Sequence, residues 1–284
     1  MTQNSPLEKY YRQPAVYIKL PSHGKYYKPE VFTPTETGEI PILPMNVKDE
    51  LAFKTPDAML NGQATVDVIK SCVPNIKDPW QMVNYDTDAV LLAIRIATYG
   101  ETMNITYRTP VTREEQEVAI NLPAQLENLA KVEILDDFTT KSGFKINVMP
   151  LTYTQLTKIQ LANFEQQKIV TNLGHAGLTE EDKTVAFKKS FDILNKINFS
   201  LLLDSVKAIT TPDNQTVNDR KQILDFCNNA TSTIVNEIQD GLVEIRQQGQ
   251  IPPLKIKSTE EQIKKGEPVD FTVPITFDNS NFFA

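Results

Sequence analysis

Asp86 and Asp88 are the pair of side chains whose types and spacing come nearest to a catalytic set. Two neighbouring carboxylates can divide the roles of general acid and general base. The same two residues also stand at the front of Ala89–Tyr99, a run that is almost entirely apolar and broken by one charge, Arg95. Acids at a helix start cap free backbone N–H groups and suit the positive end of the helix dipole. That structural reading is preferred, and a hydrolase built on Asp86 and Asp88 is kept as the remote alternative. Other chemistries lack parts. Two cysteines, Cys72 and Cys227, and two histidines, His23 and His175, are all isolated, whereas a zinc site needs about four ligands at suitable spacing. The cysteines fall on apolar helix faces, as small core residues do. His23-Gly24-Lys25 has Lys19 where a phosphate loop needs its first glycine and Tyr26 where it needs a hydroxyl residue for Mg²⁺. The sequence therefore predicts no catalytic set, no metal and no cofactor.

Two other side chains invite contact rather than catalysis. Arg95 could bridge to a partner's carboxylate, but an internal salt bridge or a side chain snorkelling at the core edge is the preferred reading, because an unpaired buried guanidinium is costly. Trp80, after Asp78-Pro79, reads as a core plug or an interface anchor.

The elements that would position these residues follow from pattern. The chain has 284 residues, 40% hydrophobic, with a net charge of −7. That acidity argues against nucleic acid or an anionic membrane as the main partner. The first residues carry no signal-peptide pattern, no apolar run is long enough to span a bilayer, and cysteine usage fits a reducing cytosol. Residues 1–44 read as an extended arm, with seven prolines, a strand at Val16-Tyr17-Ile18, a turn at Pro21–Gly24 and a short extended piece at Lys25–Tyr27. Residues 45–150 read as an α+β core. Asn46 caps a short helix through Phe53, Thr55-Pro56-Asp57 starts a turn ending at Asn61-Gly62, and Ala64–Val73 is helical. The apolar helix ends at Gly100. Period-two runs follow at Met103–Tyr107 and Val118–Leu122, then a second pair at Lys131–Leu135 and Phe144–Val148. One small antiparallel sheet, covered by the apolar helix, is expected.

Residues 151–248 read as a helical hairpin or three-helix section. Thr152 with Gln155 and Thr179 with Asp182 resemble capping boxes. Leu156, Ile159 and Phe164, then Phe187, Phe191, Leu194, Ile197, Leu201 and Val206, and lastly Ile223 to Ile245 mark three apolar stripes. Residues 249–284 return in extended form, with strict alternation from Val269 to Phe277 and an apolar end at Phe282-Phe283. The fold class is α+β.

An ordered set of pieces resembles the baseplate hub subunits and hub assembly proteins of T-even-like contractile-tailed bacteriophages. The pieces are Leu20–Tyr27; Pro44-Met45 with Asp49-Glu50; Thr55–Ala58 with Asn61-Gly62; Ile69–Cys72 before a proline; Tyr85–Asp88; and Ala93–Gly100. The matching stretch covers roughly 16–122. Some relatives carry paired cysteines in a C-P-x-C-like turn after the Tyr-Gly strand. Thr109-Pro110-Val111-Thr112 stands there instead, so a metal knuckle is not expected. The resemblance implies an interaction protein, not an enzyme, working on the baseplate hub in the host cytoplasm and either leaving as a chaperone or staying in the virion. It implies other baseplate or hub proteins as partners, with a homo-oligomer open. The contact residues expected are Leu20, Pro21, Tyr26, Tyr27, Trp80, Arg95, Phe282 and Phe283, with the 182–246 helices as a further surface.

Overall fold

Asn46 caps helix α1, Val47–Phe53, as expected. Its side chain accepts from the Asp49 N–H at 3.0 Å, and the Asp49 carboxylate accepts from the Asn46 N–H at 3.0 Å. The computed structural model describes residues 6–54, 62–173, 180–248 and 251–275. The turn expected at residues 55–61, the Thr179 cap and the Phe282-Phe283 end lie outside them. The chain is α+β, and it forms two units.

The first unit comprises Met1–Pro79, Tyr85–Val132 and Gln250–Ala284. Strand β1, Val16–Ile18, pairs antiparallel with β2, Ile40–Ile42. Helix α2, Gln63–Cys72, begins after Gly62 at φ 76° and stops before Pro74. Helix α3, Asn84–Tyr99, is the apolar helix, with Ala89 to Arg95 all buried. Gly100 ends it at φ 93°, a conformation that costs glycine little. Strands β3, Thr102–Arg108, and β4, Glu115–Asn121, form a regular antiparallel pair. The alternation does not extend to Leu122, which opens helix α4, Leu122–Ala130; Asn121 caps it and proline occupies its first turn.

The second unit comprises Trp80–Asn84 and Glu133–Gly249. Strands β5, Asp137–Thr139, and β6, Lys145–Val148, begin a four-stranded sheet. Residues 131–135 are therefore not the strand that alternation suggested. Helices α5, Tyr153–Leu173, and α6, Glu180–Ser205, follow, and the Thr152–Gln155 capping box is present. The apolar stripe predicted to stay helical through Val206 instead turns into β7, Val206–Thr210, with β8, Thr216–Val217, completing the sheet in the order β5-β6-β7-β8. The expected third helix is two: α7, Arg220–Asn229, capped by Asp219, and α8, Ser232–Gln248. Ile146, Leu202, Ile209, Ile223, Cys227, Ile238 and Leu242 share one core. The strands expected to share one sheet thus fall in separate sheets, β3–β4 in the first unit and β5–β6 in the four-stranded sheet of the second.

In the first unit the chain closes with β9, Leu254–Lys257, a short helix α9, Glu260–Lys264, and β10, Asp270–Val273, paired with β9. The strand stops before Pro274, shorter than its alternation suggested, because proline cannot donate to a ladder.

Gly241 in α8 is where Phe138 of β5 packs. A Cβ there would lie 2.1 Å from the ring. Alanine favours a helix over glycine by about 1 kcal/mol, but overpacking costs about 1–3 kcal/mol. Gly241→Ala should therefore lower the unfolding free energy by up to about 2 kcal/mol in denaturant titration. Adding Phe138→Ala should remove the clash, making the two changes non-additive.

Candidate functional site

The arm is locked to the first unit by a buried carboxylate. Asp86 lies within the first turn of α3 rather than before it, so it is not the cap that its position suggested. It is fully buried, and its oxygens accept from the Ser22 N–H at 2.9 Å, from the Ser22 hydroxyl, and from the Tyr27 hydroxyl at 2.6 Å. Consecutive turns present these donors. His23 at φ 52° and Gly24 at φ 77° reverse the chain, and Lys25 and Tyr27 N–H groups bond back to Ser22 and Gly24. Residues 25–27 are therefore turn, not the extended piece expected. A Cβ on Gly24 would also press on the Phe32 ring at 3.1 Å. Burial raises the Asp86 pKa, and the Ser22 and Tyr27 hydrogen bonds oppose that rise without cancelling it.

A second carboxylate holds the start of the arm. The Arg12 guanidinium donates to Asp49 at 2.9 Å, to the Pro44 carbonyl at 2.8 Å, and to the Ser71 carbonyl and hydroxyl at 2.7 and 2.8 Å. Cys72 sits beside this node, and burial first, with the Asp49 charge, pushes its thiol up to about 12. Such a thiol is protonated and unreactive at neutral pH.

A third carboxylate closes the Thr109–Thr112 turn. Glu267 is buried and accepts from the Thr112 N–H at 2.7 Å, the Thr112 hydroxyl at 2.9 Å and the Val111 N–H at 3.2 Å. Burial raises its pKa, but these donors outweigh burial and leave it below the ordinary value. The turn is closed by hydrogen bonds, and among the described residues no group of three His, Cys, Asp or Glu could hold a metal.

The expected contact residues scatter. Leu20 and Pro21 are buried, and Tyr26 and Tyr27 are half-buried, Tyr26 edge-on to Tyr85 at 6.4 Å and Tyr27 against Phe32 at 5.8 Å. Trp80, in the second unit, is half-buried against Tyr153 at 5.6 Å. Arg95 is buried, with its guanidinium 4.4 Å over the Tyr99 ring, and neither Nε nor Nη1 has an acceptor among the described residues. Burial pulls its pKa down. Phe282 and Phe283 lie outside the described residues. On the apolar stripes of α5 and α6, Phe164, Phe187 and Phe191 are exposed at 46%, 54% and 63%.

Asp88 keeps part of its surface in solvent but is deep enough that burial alone pushes its pKa up to about 7. The folded protein then holds a proton that the unfolded chain, at about 3.8, has lost. Stability therefore falls as pH rises between those values and is flat above them. Asp88→Asn should remove that slope, leaving stability near pH 4 little changed and raising it by up to about 4 kcal/mol at pH 8, read from urea midpoints. Asp86→Ala should act in the opposite sense. It leaves three buried donors without an acceptor, costs about 2–4 kcal/mol, and opens residues 20–30 to limited proteolysis at pH 7.

No helix among the described residues is long and apolar enough to cross a membrane. No curated protein and no solved structure matches the chain. The family model described as T4 bacteriophage base plate protein matches residues 15–276. The match runs well past the roughly 16–122 stretch that carried the sequence resemblance and takes in the helical section 151–248. With nearly the whole length covered, the chain belongs to the T4 bacteriophage base plate protein family.

Proposed function

We propose that the chain builds the central hub of the phage tail baseplate, as a hub component or a hub assembly protein, and that it works by protein–protein contacts rather than catalysis. The family match over residues 15–276 carries the baseplate part of this reading. The ordered pieces from Leu20–Tyr27 to Ala93–Gly100 support the hub part. Asp86, the better half of the one candidate carboxylate pair, has both oxygens engaged by Ser22 and Tyr27, which favours a structural role over turnover. Exposed apolar side chains, Phe187 and Phe191 among them, are surfaces available for protein–protein contacts. Assembly in the host cytoplasm followed by retention in the tail, or by release, is the course this reading implies.

Mass spectrometry of purified particles beside assembly intermediates from the same lysate tests it. A fixed small-integer copy number per particle is the expected result for a hub component. Presence in intermediates and absence from particles identifies an assembly factor that is released. Absence from both overturns the reading.

A further inference from the structure

We infer that the outer surface of residues 19–28 is a docking site for an acidic segment of another baseplate protein; the inference rests on the contact-driven reading above. This stretch divides its residues by polarity. Ile18, Leu20, Pro21 and Ser22 are buried, whereas Tyr17, Lys19, His23, Lys25 and Lys28 are exposed. Leu20 and Pro21 were expected as contacts, but they are turned inside, and the basic side chains are what the stretch offers a partner.

Charge sets this surface apart. Residues 13–29 hold three lysines and a histidine and no acid, in a chain whose net charge is −7. Lys19 and Lys28 have no ion-pair partner among the described residues. The Lys25 ammonium lies 5.6 Å from the centre of the Tyr26 ring. Lys77 donates to the Pro29 carbonyl at 3.0 Å and so brings a further ammonium to the end of the stretch. Asp86, the acid beneath it, is buried with its oxygens taken by Ser22 and Tyr27. Glu30 and Asp78 stand past its far end, where the Asp78 N–H bonds to the Val31 carbonyl.

The backbone keeps these charges together. The His23 N–H donates to the Leu20 carbonyl, the Lys25 N–H to Ser22 and the Tyr27 N–H to Gly24, which makes three overlapping turns. Such turns hold Cα atoms three residues apart within about 7 Å, so Lys19 and Lys28 both lie within about 15 Å of His23. The bonds to Asp86 fix the turns in place, so a partner need not bear the cost of ordering a loose loop. The exposed His23 imidazole adds a hydrogen-bond donor. Tyr17, 61% exposed and on the same side of the alternation as Lys19, supplies an aromatic anchor. Fixed lysines around such an anchor are complementary to carboxylates. A large polyanion such as nucleic acid would be repelled by the acidic remainder of the chain. A short acidic segment that meets only this stretch would not.

The test treats baseplate assembly intermediates from infected cells with a carbodiimide, which joins a lysine to a carboxylate only where the two touch. The expected result is Lys19 or Lys28 amide-linked to an aspartate or glutamate of another baseplate protein. Lys19→Glu with Lys28→Glu should lower recovery of the chain in those intermediates by about tenfold. Its thermal midpoint should stay unchanged, because both side chains are exposed. Links only to acids of this chain, in the same or a second copy, overturn the inference, as does the absence of any link in intermediates that contain the protein. Undiminished recovery of the double variant also overturns it. So does binding of the chain to DNA or to phosphatidylserine vesicles that the double reversal abolishes. The crosslink map uses the unaltered chain and decides the matter even if the variant misfolds. Particle mass spectrometry reads the baseplate role separately, so the docking site can fail while that role stands.

Discussion

A carboxylate that is fully buried must find donors, and Asp86 finds them only if residues 20–27 fold back upon it. This requirement ties three features together. The helix supplies the acid in its first turn, the Ser22 N–H and hydroxyl supply two donors, and the Tyr27 hydroxyl supplies the third. The turn between them needs a positive φ at His23 and Gly24, and the Phe32 ring leaves no slack for a side chain at Gly24. Removing any single part leaves a buried polar group unpaired, which costs more than the hydrogen bond alone contributed. The proline-rich arm buries Ile18, Leu20, Val31, Phe32, Ile40 and Ile42, and the polar contacts at Asp86 add to that burial by fixing its turn.

The same device recurs. Asp49 closes a helix cap and also receives Arg12, 37 residues away, while Glu267 accepts from Thr112, 155 residues away. Three carboxylates thus each join segments remote in sequence within the first unit. This gives part of the chain's acidity a structural use. Leu20 and Pro21, next to the Asp86 contact, are buried, whereas Phe187 and Phe191 of α6 are exposed.

Local chemistry made much of the fold readable. The Asn46 cap, the Gly100 stop, the Thr152–Gln155 box and the β3–β4 alternation all depend on neighbours within a few residues, and each was found where expected. Failures came where local pattern was ambiguous. Val206–Thr210 continues an apolar spacing compatible with helix, and only pairing with β6 makes it a strand. The α7–α8 break at Ala230 hides inside a stripe that keeps three- and four-residue steps on both sides. The Asp86 lock was not readable at all, because its donors lie 59 and 64 residues away and a first-turn acid looks like an ordinary cap.

The α6 stripe shows a different limit. Its C-terminal end buries Leu202 and packs Phe199 and Leu203 on the second unit's core. Its N-terminal half leaves Phe187 and Phe191 in solvent. At 26 residues the helix is roughly 39 Å long and outlasts the core that anchors it. Hydrophobic periodicity reports which residues share a face, and it is indifferent to whether the cover comes from the same chain. The exposed first half of the stripe therefore takes no part in the second unit's core, although its spacing is the same as that of the buried second half.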